Sequence, residues 1–201
     1  SLFFLYICNM KTEVRNRILD IGVNIIAKKG YNGIGILEVL NEAKIPKGSF
    51  YHYFKNKEDF GIQVIKRHSE NSLIYINSFL EDSTLSPLQR IFSLFDDVQK
   101  IYEKKEFKEG CLLGNCSTEL GGQKACFSTV LELEFLKMES EFTKCLQEAK
   151  DLGELKTDVS TEELTSFIVN SWEGAIMRMK VTKNLEPIKI FVKFLKTQIL
   201  I

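Results

Sequence analysis

The sequence predicts an all-α protein, and three observations carry that expectation. Beyond Met10, apolar residues recur at three- and four-residue steps through almost the whole chain. The runs are interrupted at Gly30–Gly35, Lys44-Ile45-Pro46, Ser83-Thr84, Glu109–Gly122, Asp151-Leu152-Gly153 and Asn184–Pro187, where helix-ending residue types gather. A length of 201 residues at 44% hydrophobic is enough for a sizeable core, while three prolines and twelve glycines leave no room for a collagenous or low-complexity segment.

Taken in order, Ser1 to Cys8 is almost wholly apolar, yet far short of the ~20 residues that span a bilayer, and no basic region precedes it. Residues 1–9 are therefore expected to be an apolar extension, not native to the protein if Met10 is its natural start, and a cytosolic location without a membrane partner is expected. Val14, Ile18, Ile21, Ile25 and Ile26 mark a first helix near 12–29, which Lys28-Lys29-Gly30 closes with a basic last turn and a terminal glycine. Ile36, Val39, Leu40 and Ala43 mark a second near 36–43, with Gly35 at its N-cap. Pro46 forces Ile45 out of the helical region, and Lys47 to Tyr53 starts a third, short helix. Helix, three-residue turn, helix is the length pattern of a helix-turn-helix. Phe50 and Phe54, four apart, can anchor the last helix, leaving Lys47, Ser49, Tyr51, His52 and Tyr53 on its surface as cations, hydroxyls and aromatic edges suited to phosphate, sugar and base contact. Further helices are expected near 58–82, 87–105, 123–150, 161–182 and 187–200.

Charge sharpens this picture. Twenty-seven basic and twenty-seven acidic residues cancel, but residues 11–68 hold eleven basic against six acidic side chains, so a surplus of +5 sits there and −5 on the remainder. A basic footprint of that kind suits a polyanion. Five cysteines form an odd set whose spacings fit neither a zinc nor an iron–sulfur site, so reduced thiols and no metal are expected. With only His52 and His68 and no glycine-rich phosphate loop, the chain is not expected to be an enzyme or to carry a cofactor.

The block Ile45-Pro46-Lys47-Gly48-Ser49-Phe50-Tyr51-His52-Tyr53-Phe54-Lys55-Asn56-Lys57-Glu58 resembles the DNA-binding signature of the TetR family of bacterial transcriptional repressors. The likeness covers about the first third of the chain. It implies an N-terminal three-helix helix-turn-helix domain at 10–57 and a C-terminal helical ligand-binding and dimerisation domain at 58–201. Lys47, Gly48, Ser49, Tyr51, His52, Tyr53 and Lys57 would then meet double-stranded operator DNA, with Lys57 on phosphate. Two positions depart from the family pattern, Ile34 for the usual threonine and Lys44 for the turn glycine. The alternatives are packing for Tyr51 and Tyr53, a structural hydrogen bond for His52, and plain solvated lysines.

Two late segments are apolar over too wide an arc for one buried stripe: Phe127, Val130, Leu131, Phe135, Met138 and Phe142, then Leu164, Phe167, Ile168, Trp172, Ile176 and Met179. The resemblance implies a homodimer through these helices, with Phe127, Leu131, Phe135, Phe167, Trp172 and Met179 as interface residues; the alternative is intramolecular core. Gly110-Cys111-Leu112 places a thiol at an expected helix start, where the helix dipole favours thiolate. With Met179 to Pro187, this segment resembles an electrophile-sensing branch of the family, which implies Cys111 as the reacting group, Lys180 linked to it and Cys116 as a second thiol. The alternatives are a small buried hydrophobe lining a pocket for a non-covalent small-molecule effector, or a helical protein-interaction module without DNA.

Overall fold

The computed structural model describes the backbone of residues 2–200 and the side chains of residues 12–200; among these the chain is helical, with no strand. Helix α1 (Leu2–Lys29) begins upstream of the expected start, so the stretch set apart as residues 1–9 enters the same continuous helix from Leu2 onward. It ends as expected: Gly30 takes φ +75 and its N–H donates to the Ile26 carbonyl at 2.9 Å. Helix α2 (Ile36–Glu42) follows an extended Gly35 N-cap. After it, Lys44 adopts φ 54, the left-handed conformation that glycine supplies more cheaply, so the turn is made at some strain.

Lys47–His52 is a tight 3-10 helix rather than an α-helix, entered from Pro46. Helix α3 (Lys57–Leu80) is capped by Asn56, whose side-chain oxygen accepts from the Asp59 N–H at 2.8 Å, with Glu58 and Asp59 in its first turn. Helix α4 (Pro87–Lys104) opens with a capping box between Ser86 and Gln89. The Glu109–Gly122 break holds a short helix, α5 (Leu112–Leu120). Then come α6 (Ala125–Asp151), α7 (Thr161–Thr182), and α8 (Glu186–Phe194), which runs into a π turn at Leu195–Ile199.

Two hydrophobic cores result. The first joins α1, α2 and the 3-10 helix to the start of α3, around an aromatic cluster in which the Phe50, Phe54 and Phe60 rings lie 5.0 to 5.8 Å apart. It also takes Leu112, Leu113, Cys116 and Leu120 from α5 and Phe127 and Leu131 from α6. The second is built by α4, α7, α8 and the later part of α6. Helix α3 serves both, giving Phe60, Val64 and Ile65 to the first and Ile76 and Leu80 to the second. Arg90 locks the far end of α3: its guanidinium donates to the carbonyls of Leu80, Asp82 and Leu85 and to the Glu148 carboxylate at 2.8 Å.

Candidate nucleic-acid interface and inner cavity

The 3-10 helix is pinned from below and open above. Phe50 and Phe54 are buried at 1% and 2% exposure, as their spacing predicts, while Tyr51 is 72% exposed. Lys47, Gly48 and His52 are also exposed, and Ser49 is half-buried. Tyr53 departs from this surface: it is half-buried and packs against the first core, 6.4 Å from the Phe54 ring, which is the packing role weighed against groove contact. Lys57 is also half-buried, its ammonium lying 5.0 Å from the Tyr31 ring centroid. A cation held there at the N-terminus of α3 adds to a positive helix end. The result is a short element of six residues presenting a phenol, an imidazole and an ammonium from a backbone that the aromatic cluster keeps still.

The reader is tied to the rest of the chain by a residue the sequence offers no signal for. Glu119, in the last turn of α5, accepts hydrogen bonds from the backbone N–H groups of Tyr31 at 2.8 Å and Asn32 at 2.6 Å, in the turn between α1 and α2. Gly30 completes the fit, since a Cβ there would lie 2.8 Å from the Glu119 carboxylate. The opposite end of α5 begins at Cys111, so one nine-residue helix runs from the α1–α2 turn to the wall of an inner cavity.

That cavity, about 290 Å³, is lined by α3, α4, α6, α7 and the segment between α4 and α5, with His68, Tyr75, Phe95, Tyr102, Cys111 and Trp172 among its walls. The Trp172 ring lies 4.7 Å from Phe95 and 6.4 Å from Tyr102. Burial, helped by Lys105, pushes the His68 imidazole down to about 4, so it is neutral near pH 7. Burial likewise drives the Tyr102 hydroxyl well up.

Cys111 stands at the N-cap of α5, as expected, and the N–H groups of Gly114 and Leu113 do favour its thiolate. They are outweighed. Burial, and next the Glu173 carboxyl, push the thiol well above its ordinary range, so the dipole argument made from sequence alone gives the wrong sign. Glu173 was not foreseen, although an acid beside Trp172 and Ile176 on an apolar arc is the kind of signal that marks such a group. Its own carboxyl is raised by burial while accepting from the Cys111 thiol. Cys111 and Glu173 also line a second, outer cleft of about 390 Å³ with Asn115 and Lys180. There the Lys180 ammonium donates to Asn115 Oδ1 at 3.1 Å, and its stem packs against Gly110. The structure thus gathers Cys111 and Lys180 on one cleft. It does not bring Cys116 there: that residue is 1% exposed in the first core, its thiol pushed up to about 12 by burial and by Glu119.

The six expected interface residues divide. Phe127, Leu131 and Met179 are buried at 0%, 3% and 0% inside their own chain, Phe135 packs on the first core, and Trp172 lines the cavity. Two intramolecular cores thus take up much of the apolar arcs of α6 and α7, which leaves Phe127, Leu131 and Met179 little surface to offer a partner, while Phe135 and Trp172 stay half-buried. Phe167 alone of the six is exposed, at 51%. It lies on a groove between α7 and α8 with Ser171, Gly174, Pro187, Ile190 and Phe194. Gly174 has nothing within 4 Å of where a Cβ would stand.

Among the described residues no helix is long and apolar enough to cross a membrane, and no group of three or more His, Cys, Asp or Glu residues could hold a metal ion.

Comparison with known proteins fits this architecture. Residues 18–62 match the family described as bacterial regulatory proteins, tetR family, and residues 87–195 the tetracyclin repressor-like C-terminal domain. The HTH-type transcriptional repressor DhaR of Mycobacterium sp. (strain GP1) is 33% identical over 90% of this chain and 90% of its own length. The HTH-type transcriptional repressor NemR of Escherichia coli (strain K12) is 23% identical over 88% and 89%. A crystal structure of a regulatory protein TetR from Rhodobacter sphaeroides superposes with a TM-score of 0.82 at 30% identity, covering 88% of this chain and 94% of that one. With a pinned helix-turn-helix at one end and a cavity-bearing helical unit at the other, this chain belongs to the TetR family and is a DNA-binding transcriptional regulator, not an enzyme.

Proposed function

We propose that the chain is an effector-released repressor that acts in the cytoplasm as a homodimer, with residues 10–57 reading double-stranded operator DNA and residues 58–201 holding the effector and the partner subunit. The observation that carries this reading is the 3-10 helix, whose buried Phe50 and Phe54 fix an outward surface of Lys47, Tyr51 and His52. Ser49 and the half-buried Lys57 supply phosphate contacts at its edge, Gly48 lets the backbone approach, and Tyr53 supports Phe54. Gel retardation of the DNA upstream of its own gene tests it. Specific retardation is expected at 50 mM salt, falling at least tenfold in affinity by 200 mM because counterions are released from each neutralised phosphate. No specific complex at low salt would remove the repressor reading.

The second subunit is expected to pack on a stripe of α7 formed by the exposed Phe167 and Arg178 and the half-buried Ser171 and Gly174, and on Ile190 and Phe194 of α8. Two half-sites related by a twofold axis require two readers. Gly174→Arg places a long cation where the helices would approach, and sedimentation should shift from dimer to monomer while the helical circular dichroism is kept. A variant that remains dimeric places the interface elsewhere.

The cavity favours a non-covalent effector. A covalent route is favoured by one observation, the opening of Cys111 onto the outer cleft beside Lys180. For that route, N-ethylmaleimide should release the wild-type protein from DNA and leave Cys111→Ser bound. Because burial raises the thiol, release is expected to need millimolar reagent or alkaline pH. Equal release of both proteins would end the covalent reading.

A further inference from the structure

The chemistry of the inner cavity narrows what can occupy it. We infer that it takes a small, uncharged aromatic molecule bearing one hydrogen-bond acceptor, an aryl ketone being the simplest example, in preference to a carboxylate or an ammonium ion. This rests on the reading that the cavity is the effector site, and deepens it.

Size and shape come first. At about 290 Å³ the cavity sits at the low end of small-molecule sites. Its walls are aromatic: Phe95 packs on Phe142 at 6.1 Å and on Trp172 at 4.7 Å, and all three rings line the cavity, where a guest ring can meet their free faces or edges.

Charge comes second. The formally charged lining residues are Lys105, Glu109 and Glu173. Lys105 is paired with Glu109 at 2.6 Å. The Glu173 carboxyl is turned to the start of α5, where it accepts from the Cys111 thiol and fills the space a Gly114 side chain would need. His68 is kept neutral by burial and by Lys105. A carboxylate entering the cavity meets two acids and no unpaired cation among the described lining residues. An ammonium ion meets Glu173, whose carboxyl burial shifts toward its neutral form and which already accepts from the Cys111 thiol, and an imidazole held neutral. Either would lose its hydration without a partner, which disfavours both against a neutral molecule.

The acceptor comes third. Tyr102 is 9% exposed and lines the cavity, so its hydroxyl is a donor within reach of a guest. A buried phenol normally donates to something, and here the cavity is where an acceptor can be supplied. A carbonyl oxygen on the guest would take that bond.

Trp172 is the only tryptophan in the chain and stands in the cavity wall, so its fluorescence reports occupancy directly. Purified full-length protein is titrated with four probes of one ring size: acetophenone, toluene, benzoate and benzylamine. Acetophenone should quench saturably, with an affinity at least tenfold above benzoate and benzylamine at pH 7.5. In Tyr102→Phe the acetophenone affinity should fall about fivefold, the worth of one neutral hydrogen bond, and that for toluene should stay the same. The inference is overturned if benzoate or benzylamine binds as well as the ketone, if Tyr102→Phe leaves the ketone-to-toluene ratio unmoved at unchanged thermal midpoint, or if no probe perturbs Trp172. DNA retardation without any probe judges the regulator reading separately, so failure of the one is not failure of the other.

Discussion

Phe60→Ala will cost about 3–5 kcal/mol of folding stability, the range for emptying a fully buried aromatic site. Phe60 is 0% exposed and meets the rings of Phe50 at 5.8 Å and Phe54 at 5.0 Å. Its ring also lies against Gly22 of α1, where a Cβ would come within 2.6 Å, so α1, the 3-10 helix and α3 converge on it. The void cannot close by collapse without moving all three. Because domains have only about 5–15 kcal/mol in hand, a large part of the margin goes with this one ring. Urea unfolding followed by circular dichroism measures it, with Leu37→Ala as the control: Leu37 is 48% exposed on α2 and should cost under about 1 kcal/mol. A Phe60 effect as small as the control's would mean that the aromatic cluster does not hold the reader in place.

Glu119→Ala should weaken operator binding about thirtyfold, corresponding to about 2 kcal/mol for two charge-assisted bonds at a half-buried site. The carboxylate holds the N–H groups of Tyr31 and Asn32, the turn from which α2 and then the 3-10 helix are hung. The Tyr31 ring in turn carries the Lys57 ammonium and contacts the Phe127 ring at 5.0 Å. Loosening the turn therefore disturbs both the seat of the reader and its flanking cation. Glu119→Gln keeps one acceptor oxygen and should lose less. Gly30→Ala should act in the same direction, because Gly30 holds φ +75 and its Cβ would press on the carboxylate. Fluorescence anisotropy with a labelled operator fragment checks the series; an Ala variant within threefold of wild type would show that the link carries no binding energy.

What could be read from the residues, and what could not, follows from the range of the forces involved. Helix starts and stops were legible because caps act locally: Gly35 and Lys28-Lys29-Gly30 mark real boundaries, and the helix expected from 161 does begin there, capped by Ser160. The anchoring of the 3-10 helix by Phe50 and Phe54 was legible for the same reason, a spacing of four on one short element. Interface residues were not, since hydrophobicity says only that Phe127 and Met179 are buried and not against what. The Cys111 thiol was misjudged because a helix dipole is visible in sequence whereas the acid opposite, Glu173, stands sixty-two residues away and counts only once α5 and α7 are packed. Glu119 was beyond reach in principle, its partners being backbone groups eighty-seven and eighty-eight residues distant.

The sharing of α3 between two cores bears on how such a regulator can be taken apart. A fragment cut at 57/58 would carry the whole recognition surface yet leave behind Phe60, Val64 and Ile65, together with Leu112, Leu120 and Phe127 from farther along. Phe50 and Phe54 would then face water. The reader is accordingly not a portable module: swapping it into another regulator means carrying at least the first three turns of α3, and a matching α5 face to receive it.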